Sequence, residues 1–517
     1  MSQPPPPPGF GPPETSPSGF GPPVTPPPGF GPPVTPPPFL AAPPPPPGPD
    51  PRPPLSRLRW ILAAVVALAL LAGGGIWLGV AGGDDGSAAD GKQQDVRFDA
   101  PGTEKKPADT KAGLLFSVAD PKVGKSDFHP APGSWVTDEA YVKTGVGKVV
   151  AYDLKSGRQL WEIALGGQIC GYTQHVDEGR TGILFQDALP GEDGKVKPCT
   201  EVAALDLNAG MLLWRGSVRR SGTKIAFHQV GMAAGKVAVA GDNGGAAFDL
   251  AGGDLLWEPK PTEPCYDMAY GSGEDLVALQ HCGQEGNERI RLQHLGRGAK
   301  PRFTYDLPRG LAFAKIVSSD PLVVAGFNDK MAVTDYFAID RRKGTLRSKI
   351  AVDPARTKSG CRMEAQTECS SLAVGNDRLY LATAPRAKTG ASESVNEIVS
   401  YDLETGKATG QRADSGGKAM LFPLRMDGRD VLAYRTPLHG SPGQVVRIDG
   451  RTFEQEVFLS VPPDSEGAPV QRHFASDKVE IRYTSGRLFL AELYIRQPYS
   501  ATEPPYLAAA FEAGAPR

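Results

Sequence analysis

The sequence predicts an all-β fold, an eight-bladed β-propeller, preceded by one transmembrane helix and a disordered proline-rich head. Three observations predict it: an eleven-residue motif repeated three times, a 22-residue run without charge, and 27 of the 52 prolines within the first 54 residues. The formal net charge of −2 offers no basic face, so nucleic acid is excluded as an expected partner.

The head, residues 1–59, carries a ten-residue period: GFGPPETSPS from Gly9, then GFGPPVTPPP from Gly19 and again from Gly29. Proline fixes φ and has no amide donor, so the stretch reads as polyproline II broken by Gly-Phe-Gly joints. It has too little apolar content to offset chain entropy and is expected to be disordered. It serves as a spacer or, through Phe10, Phe20 and Phe30, docks a cytoplasmic partner.

Residues 60–81, WILAAVVALALLAGGGIWLGVA, are read as the transmembrane helix. At about 1.5 Å per residue, such a helix matches a hydrocarbon core of about 30 Å. Arg52, Arg57 and Arg59 precede it, and Asp84, Asp85 and Asp90 follow. The positive-inside rule therefore leaves the head in the cytoplasm and the rest outside. A cleaved signal peptide has a shorter apolar core, so an uncleaved single-pass anchor in the cell membrane is expected. Gly75, Gly79 and Gly83 are spaced for helix pairing. Residues 82–112 read as a flexible stalk, 113–495 as the propeller, and 496–517 as a tail.

Beyond residue 113, short apolar runs alternate with Gly, Asp and Asn turns, which argues for strands. The pattern A-x-D-L-x-x-G-x-x-L-W recurs with Asp153, Gly157 and Trp161, with Asp206, Gly210 and Trp214, and with Asp249, Gly253 and Trp257. The Asp side chain holds a tight turn, the Gly takes positive φ, and the Trp fills a gap between sheets. Such a hairpin cannot bury its own apolar face and must stack on copies of itself. Weaker copies are anchored at His294, Asp340, Asp402 and Asp449, where Arg302, Ser348, Gly410 and Val457 stand in place of Trp. Seven anchors at steps of 43 to 62 residues suit four-stranded blades. An eighth blade follows if the run 113–118 completes a sheet begun by 478–483 and 487–495; seven blades is the alternative.

These repeats resemble the tryptophan-docking motifs of pyrroloquinoline quinone (PQQ)-like propellers, a superfamily that includes quinoprotein alcohol dehydrogenases and BamB-type outer-membrane assembly lipoproteins. The composition and proline-rich head also resemble envelope proteins of high-GC Gram-positive bacteria. The resemblance implies either a scaffold or a quinone-dependent dehydrogenase. In the alcohol dehydrogenases the quinone lies between a tryptophan and a disulfide of adjacent cysteines, beside calcium, and no Cys-Cys pair occurs here.

The six cysteines, Cys170, Cys199, Cys265, Cys282, Cys361 and Cys369, all follow the apolar span. An even number outside the cytoplasm suggests disulfides, and six permit 15 pairings. Nearest-neighbour pairing keeps each bond within a blade-sized unit: Cys170–Cys199, Cys265–Cys282 and Cys361–Cys369. No Cys/His metal spacing is present. No G-x-S-x-G elbow, phosphate loop or H-E-x-x-H occurs, and the seven histidines are scattered, with His294 expected in a turn. Glu192 and Asp193 read as solvated loop residues. The expectation is a cell-envelope binding or scaffold protein without catalytic, cofactor or metal site, its propeller recognising a protein or envelope ligand. Alternatives are a sensory receptor signalling through a cytoplasmic partner and, third, a PQQ-dependent dehydrogenase.

Overall fold

In a computed structural model residues 92–517 form one compact unit, divided from a first unit, 1–91. The structure describes residues 103–515 apart from 125–127, 192–194, 261, 285, 297–299, 359, 362–368, 388–393, 418, 439, 476–477 and 498–505. The proline-rich head, the apolar span, the stalk up to residue 102, Glu192, Asp193 and His439 lie outside the described residues. Among the described residues no helix is long and apolar enough to cross a membrane.

The second unit is a propeller of eight blades, each an antiparallel meander of four principal strands. Blades 1 to 7 occupy 134–164, 169–216, 229–257, 265–306, 313–351, 357–414 and 421–461. Blade 8 joins the two ends of the domain: Val479–Thr484 is innermost, followed by Arg487–Glu492, Tyr506–Ala513 and, outermost, Ala112–Ala119. Closing the ring in this way leaves no open sheet edge between first and last blades. Two boundaries are thereby corrected. The propeller runs past residue 495, because the alanine-rich strand Tyr506–Ala513 sits in the middle of blade 8. The stalk is shorter than expected, because Glu104 is buried: its carboxylate accepts from Arg425 at 2.6 Å and from the Ser485 amide at 2.8 Å.

The uneven repeat steps have a local cause. The step of 62 between Asp402 and its predecessor contains an insertion in the inner strand of blade 6, which pairs through Thr357–Lys358, leaves the sheet, and returns at Leu372–Gly375. In blade 2 the excess lies between Arg180–Gln186 and Cys199–Asp206.

The motif residues act as the pattern requires. Asp206 Oδ1 accepts from the amides of Asn208 and Ala209 at 3.0 and 2.8 Å, and Asp249 Oδ2 from Ala251 and Gly252 at 3.0 and 2.7 Å. The glycine that follows docks the preceding blade. A Cβ on Gly210 would lie 2.5 Å from the Trp161 ring, and one on Gly253 2.6 Å from Trp214. Both have positive φ, +66° and +77°. Sterics and conformation thus both demand glycine. Trp214 Nε1 then donates to the Leu250 carbonyl at 2.9 Å, tying blade 2 to blade 3.

The blades without tryptophan solve the same junction differently. In blade 4 the third strand runs on through Gly296, so Phe303, not Arg302, takes the docking position and faces Gly344 of blade 5. Phe116 of blade 8 does the same for Gly157. Ser348 Oγ donates to the Leu403 carbonyl at 2.7 Å, replacing the indole bond with a hydroxyl one. At the blade 6–7 junction the pair is inverted: Gly410 stands in the tryptophan place, and Phe453 stands in the glycine place at φ +64°. Its ring fills the gap from the other side, 5.9 Å from Tyr380. His294 is corrected too. It is a strand residue paired with Val277, fully buried and stacked on Phe303, because the turn begins two residues later than expected.

Candidate functional site

A four-stranded meander places its first and third turns at one end and its second turn, with the link to the next blade, at the other. The ring therefore has a turn face, carrying the Asp-Gly turns, and a link face, carrying the longer excursions. Three disulfides stand in the structure, Cys170–Cys199, Cys265–Cys282 and Cys361–Cys369, with sequence separations of 29, 17 and 8. All three lie at the link face. Cys170 and Cys265 are at the starts of inner strands, Cys199 starts a third strand, Cys282 ends a second, and the last pair closes the blade 6 insertion. Covalent closure stiffens the loops that a rigid ring displays.

The same face carries exposed apolar side chains. Phe128 is 57 % exposed and stacks on Tyr494 at 4.7 Å, held on a short ribbon pairing Phe128–Pro130 with Tyr494–Arg496. Val196 is 81 % exposed, and Leu189 leans on Gly147 of the neighbouring blade.

Buried polar side chains of blades 1, 2 and 8 meet beside the inner strands. Lys143 of blade 1 donates to Glu480 of blade 8 at 2.9 Å, and their side chains are 0 % and 6 % exposed. Lys143 Nζ also donates to the Ala131 carbonyl at 2.5 Å. Glu480 Oε1 accepts from the Gly133 amide at 2.9 Å and from the Tyr172 hydroxyl of blade 2 at 2.5 Å. Burial pushes the Lys143 ammonium below its ordinary value, with Glu480 opposing. Burial pushes the Glu480 carboxyl up, but Lys143, Arg482 and the Tyr172 hydrogen bond outweigh it and hold it below the usual carboxylate range. Toward the turn face, the segment 173–179 reaches from blade 2 to blade 8. Gln174 accepts from Arg482 of blade 8 at 3.0 Å, and His175 lies within electrostatic range of Glu274 of blade 4. Beneath it a cavity of about 60 Å³ is lined by Tyr172, Gln229, Tyr270, Ser272, Lys315 and Ser318.

These residues do not fit a quinone cofactor. Small-molecule sites enclose about 300–1,000 Å³. Trp135 is buried edge-on against Tyr172 at 5.4 Å, with Nε1 donating to the Thr173 carbonyl at 2.8 Å, so it presents no free ring face. Trp161, Trp214 and Trp257 belong to outer strands. Among the described residues no three His, Cys, Asp or Glu side chains form a metal-binding group. His228 meets Asp242, and His281 lies tilted against Tyr266. The Lys143–Glu480–Tyr172 cluster carries no signal in the sequence, since its members come from three blades and meet only on ring closure.

Residues 109–280 match the family model described as outer membrane protein assembly factor BamB. No curated protein matches the chain. Among solved structures, BamB from Moraxella catarrhalis is 11 % identical, with 78 % of this chain and 99 % of that chain covered and a TM-score of 0.41. The Neurospora crassa Pan2 WD40 domain is 12 % identical, covering 80 % and 98 %, with a TM-score of 0.41. The dihydro-heme d1 dehydrogenase NirN in complex with DHE is 14 % identical, covering 65 % and 67 %, with a TM-score of 0.38. The described chain is an eight-bladed β-propeller, and its residues 109–280 are similar to the BamB family.

Proposed function

We propose that this protein is a non-catalytic binding or scaffold protein of the cell envelope, held by a single membrane span with its propeller outside the cytoplasm. The observation that carries the reading is the link face: all six cysteines are paired there, around exposed Phe128, Leu189 and Val196. Disulfides persist in oxidising compartments, and stiffened loops with apolar anchors suit recognition of a protein or envelope ligand.

Photo-crosslinking in intact cells tests it, with a benzophenone side chain at Val196 or Phe128 and at Lys155 on the turn face as control. A discrete adduct from the first two positions and none from the third is expected. The same pattern from all three, or six free thiols in protein alkylated before lysis, refutes the reading. A quinone spectrum with alcohol-dependent dye reduction after adding PQQ and Ca²⁺ overturns it in favour of the dehydrogenase.

A further inference from the structure

We propose that the outer rim of blades 1–3 is a lipid-contact surface that seats the propeller against a bilayer, an inference that rests on the membrane-tethered reading above. Within three residues of each Asp-Gly turn, these blades present leucine or methionine to solvent. Met211 is 54 % exposed, and Leu160, Leu212, Leu255 and Leu256 are 38–45 % exposed. The same repeat positions in blade 7 hold Glu454, Gln455 and Glu456, and Glu456 is engaged by Arg447 at 2.6 Å and Lys106 at 3.2 Å. Blade 6 has Lys407, Ala408 and Thr409. The rim of blades 1–3 is therefore more apolar than that of blades 6 and 7, with one further exposed leucine, Leu346 of blade 5, 37 % exposed. Isolated exposed leucines are ordinary, but a set within the same three-residue window of three consecutive blades marks a surface that is covered in use.

Where the chain enters the domain says what covers it. These positions follow the third turn of each blade and so lie toward the turn face. Glu104 is pinned beside Ser485 and Arg425, at the first turn of blade 8 and the inner strand of blade 7, which is also the turn face. From there, 22 residues lead back to the uncharged run 60–81. Fully extended they reach at most about 80 Å, and they attach to the domain on this face. Along these turns Lys155 and Arg158 are outnumbered by carboxylates at Asp153, Asp206, Asp249, Asp254 and Glu258, so an anionic headgroup has no net cationic patch to meet. The contact is expected to be hydrophobic and insensitive to salt.

The test uses the full chain in phosphatidylcholine nanodiscs, with bimane on Met211→Cys or, at the equivalent position of blade 7, on Glu454→Cys. Doxyl-labelled acyl chains should quench Met211→Cys at least threefold more than Glu454→Cys. Adding Leu212→Asp and Leu256→Asp should abolish that difference, while far-UV circular dichroism reports an intact fold. Equal quenching at both sites, or none at 211, overturns the inference. Copy-to-copy energy transfer at 211 without lipid quenching overturns it in favour of a second copy of this chain on the rim. Failure to enter discs overturns the tether reading instead. The rim is then judged by flotation with added phosphatidylcholine vesicles: loss in the Asp variant supports it, and no flotation of the parent refutes it.

Discussion

Phe453 offers a sharp test of how the irregular blades are held together. It stands where five other blades have glycine, at φ +64°, and its ring is 6 % exposed among Tyr380, Ile398 and Val446. A left-handed conformation costs a non-glycine residue about 1–2 kcal/mol. Truncating a buried Phe to Ala costs about 3–5 kcal/mol. Phe453→Ala keeps the strained backbone and loses the ring, so the full 3–5 kcal/mol is expected. Phe453→Gly loses the ring but relieves the backbone, leaving about 2–3 kcal/mol as the net of those two terms. At about 2.1 cal/mol/K per residue over roughly 400 residues, the unfolding entropy is about 0.8 kcal/mol/K. Phe453→Ala should then lower Tm by about 5 °C and Phe453→Gly by about 3 °C. Differential scanning fluorimetry of both variants resolves that gap. Glycine as damaging as alanine, or more so, refutes the claim that the ring is retained against backbone strain.

Four further outcomes are expected. Lys143→Met strands the buried Glu480 carboxylate and should cost about 3–5 kcal/mol; a double-mutant cycle with Glu480→Gln, read by Tm, should recover at least a third of it. The Glu480 carboxyl titrates below its unfolded value near 4.3. Its contribution is therefore complete above that pH and fades as pH falls through the folded value, so the Tm gap between parent and Glu480→Gln should be flat from pH 7 to 5 and narrow below 4. Gly210→Ala, at positive φ beneath the Trp161 ring, should cost about 2–3 kcal/mol by calorimetry, the strain plus displacement of the indole. Removing Cys265 and Cys282 together should cost about 3 kcal/mol, the entropy of a loop of that length, and the variant's Tm should move less than the parent's on adding reductant.

Much of the fold was legible because its determinants are local. Asp206, Gly210 and Trp214 lie within nine residues, and a turn, a positive φ and a docking aromatic are all set over that span. The decayed copies were misread where one element slid against its neighbour. Phe303 does the work assigned to Arg302 because the third strand of blade 4 is longer, and register depends on partners the motif does not contain. The strand Tyr506–Ala513 reads as tail because an alanine-rich run has no alternation; only its burial between Arg487–Glu492 and Ala112–Ala119 makes it a strand.

By itself, then, the sequence determined the repeat, the blade size and the class of architecture, since hydrophobic period and turn chemistry act over a few residues. It also proposed the cysteine pairs found in the structure, because each loop closes within one blade or one link. Tertiary structure alone decided which buried polar groups meet across blades, which face the disulfides occupy and which arc of the rim is more apolar. Those features join residues as far apart as Lys143 and Glu480, and only closure of the ring brings them within 2.9 Å. A buried charge pair or a one-sided surface is a property of the neighbours a chain acquires on folding, and no window of sequence contains them.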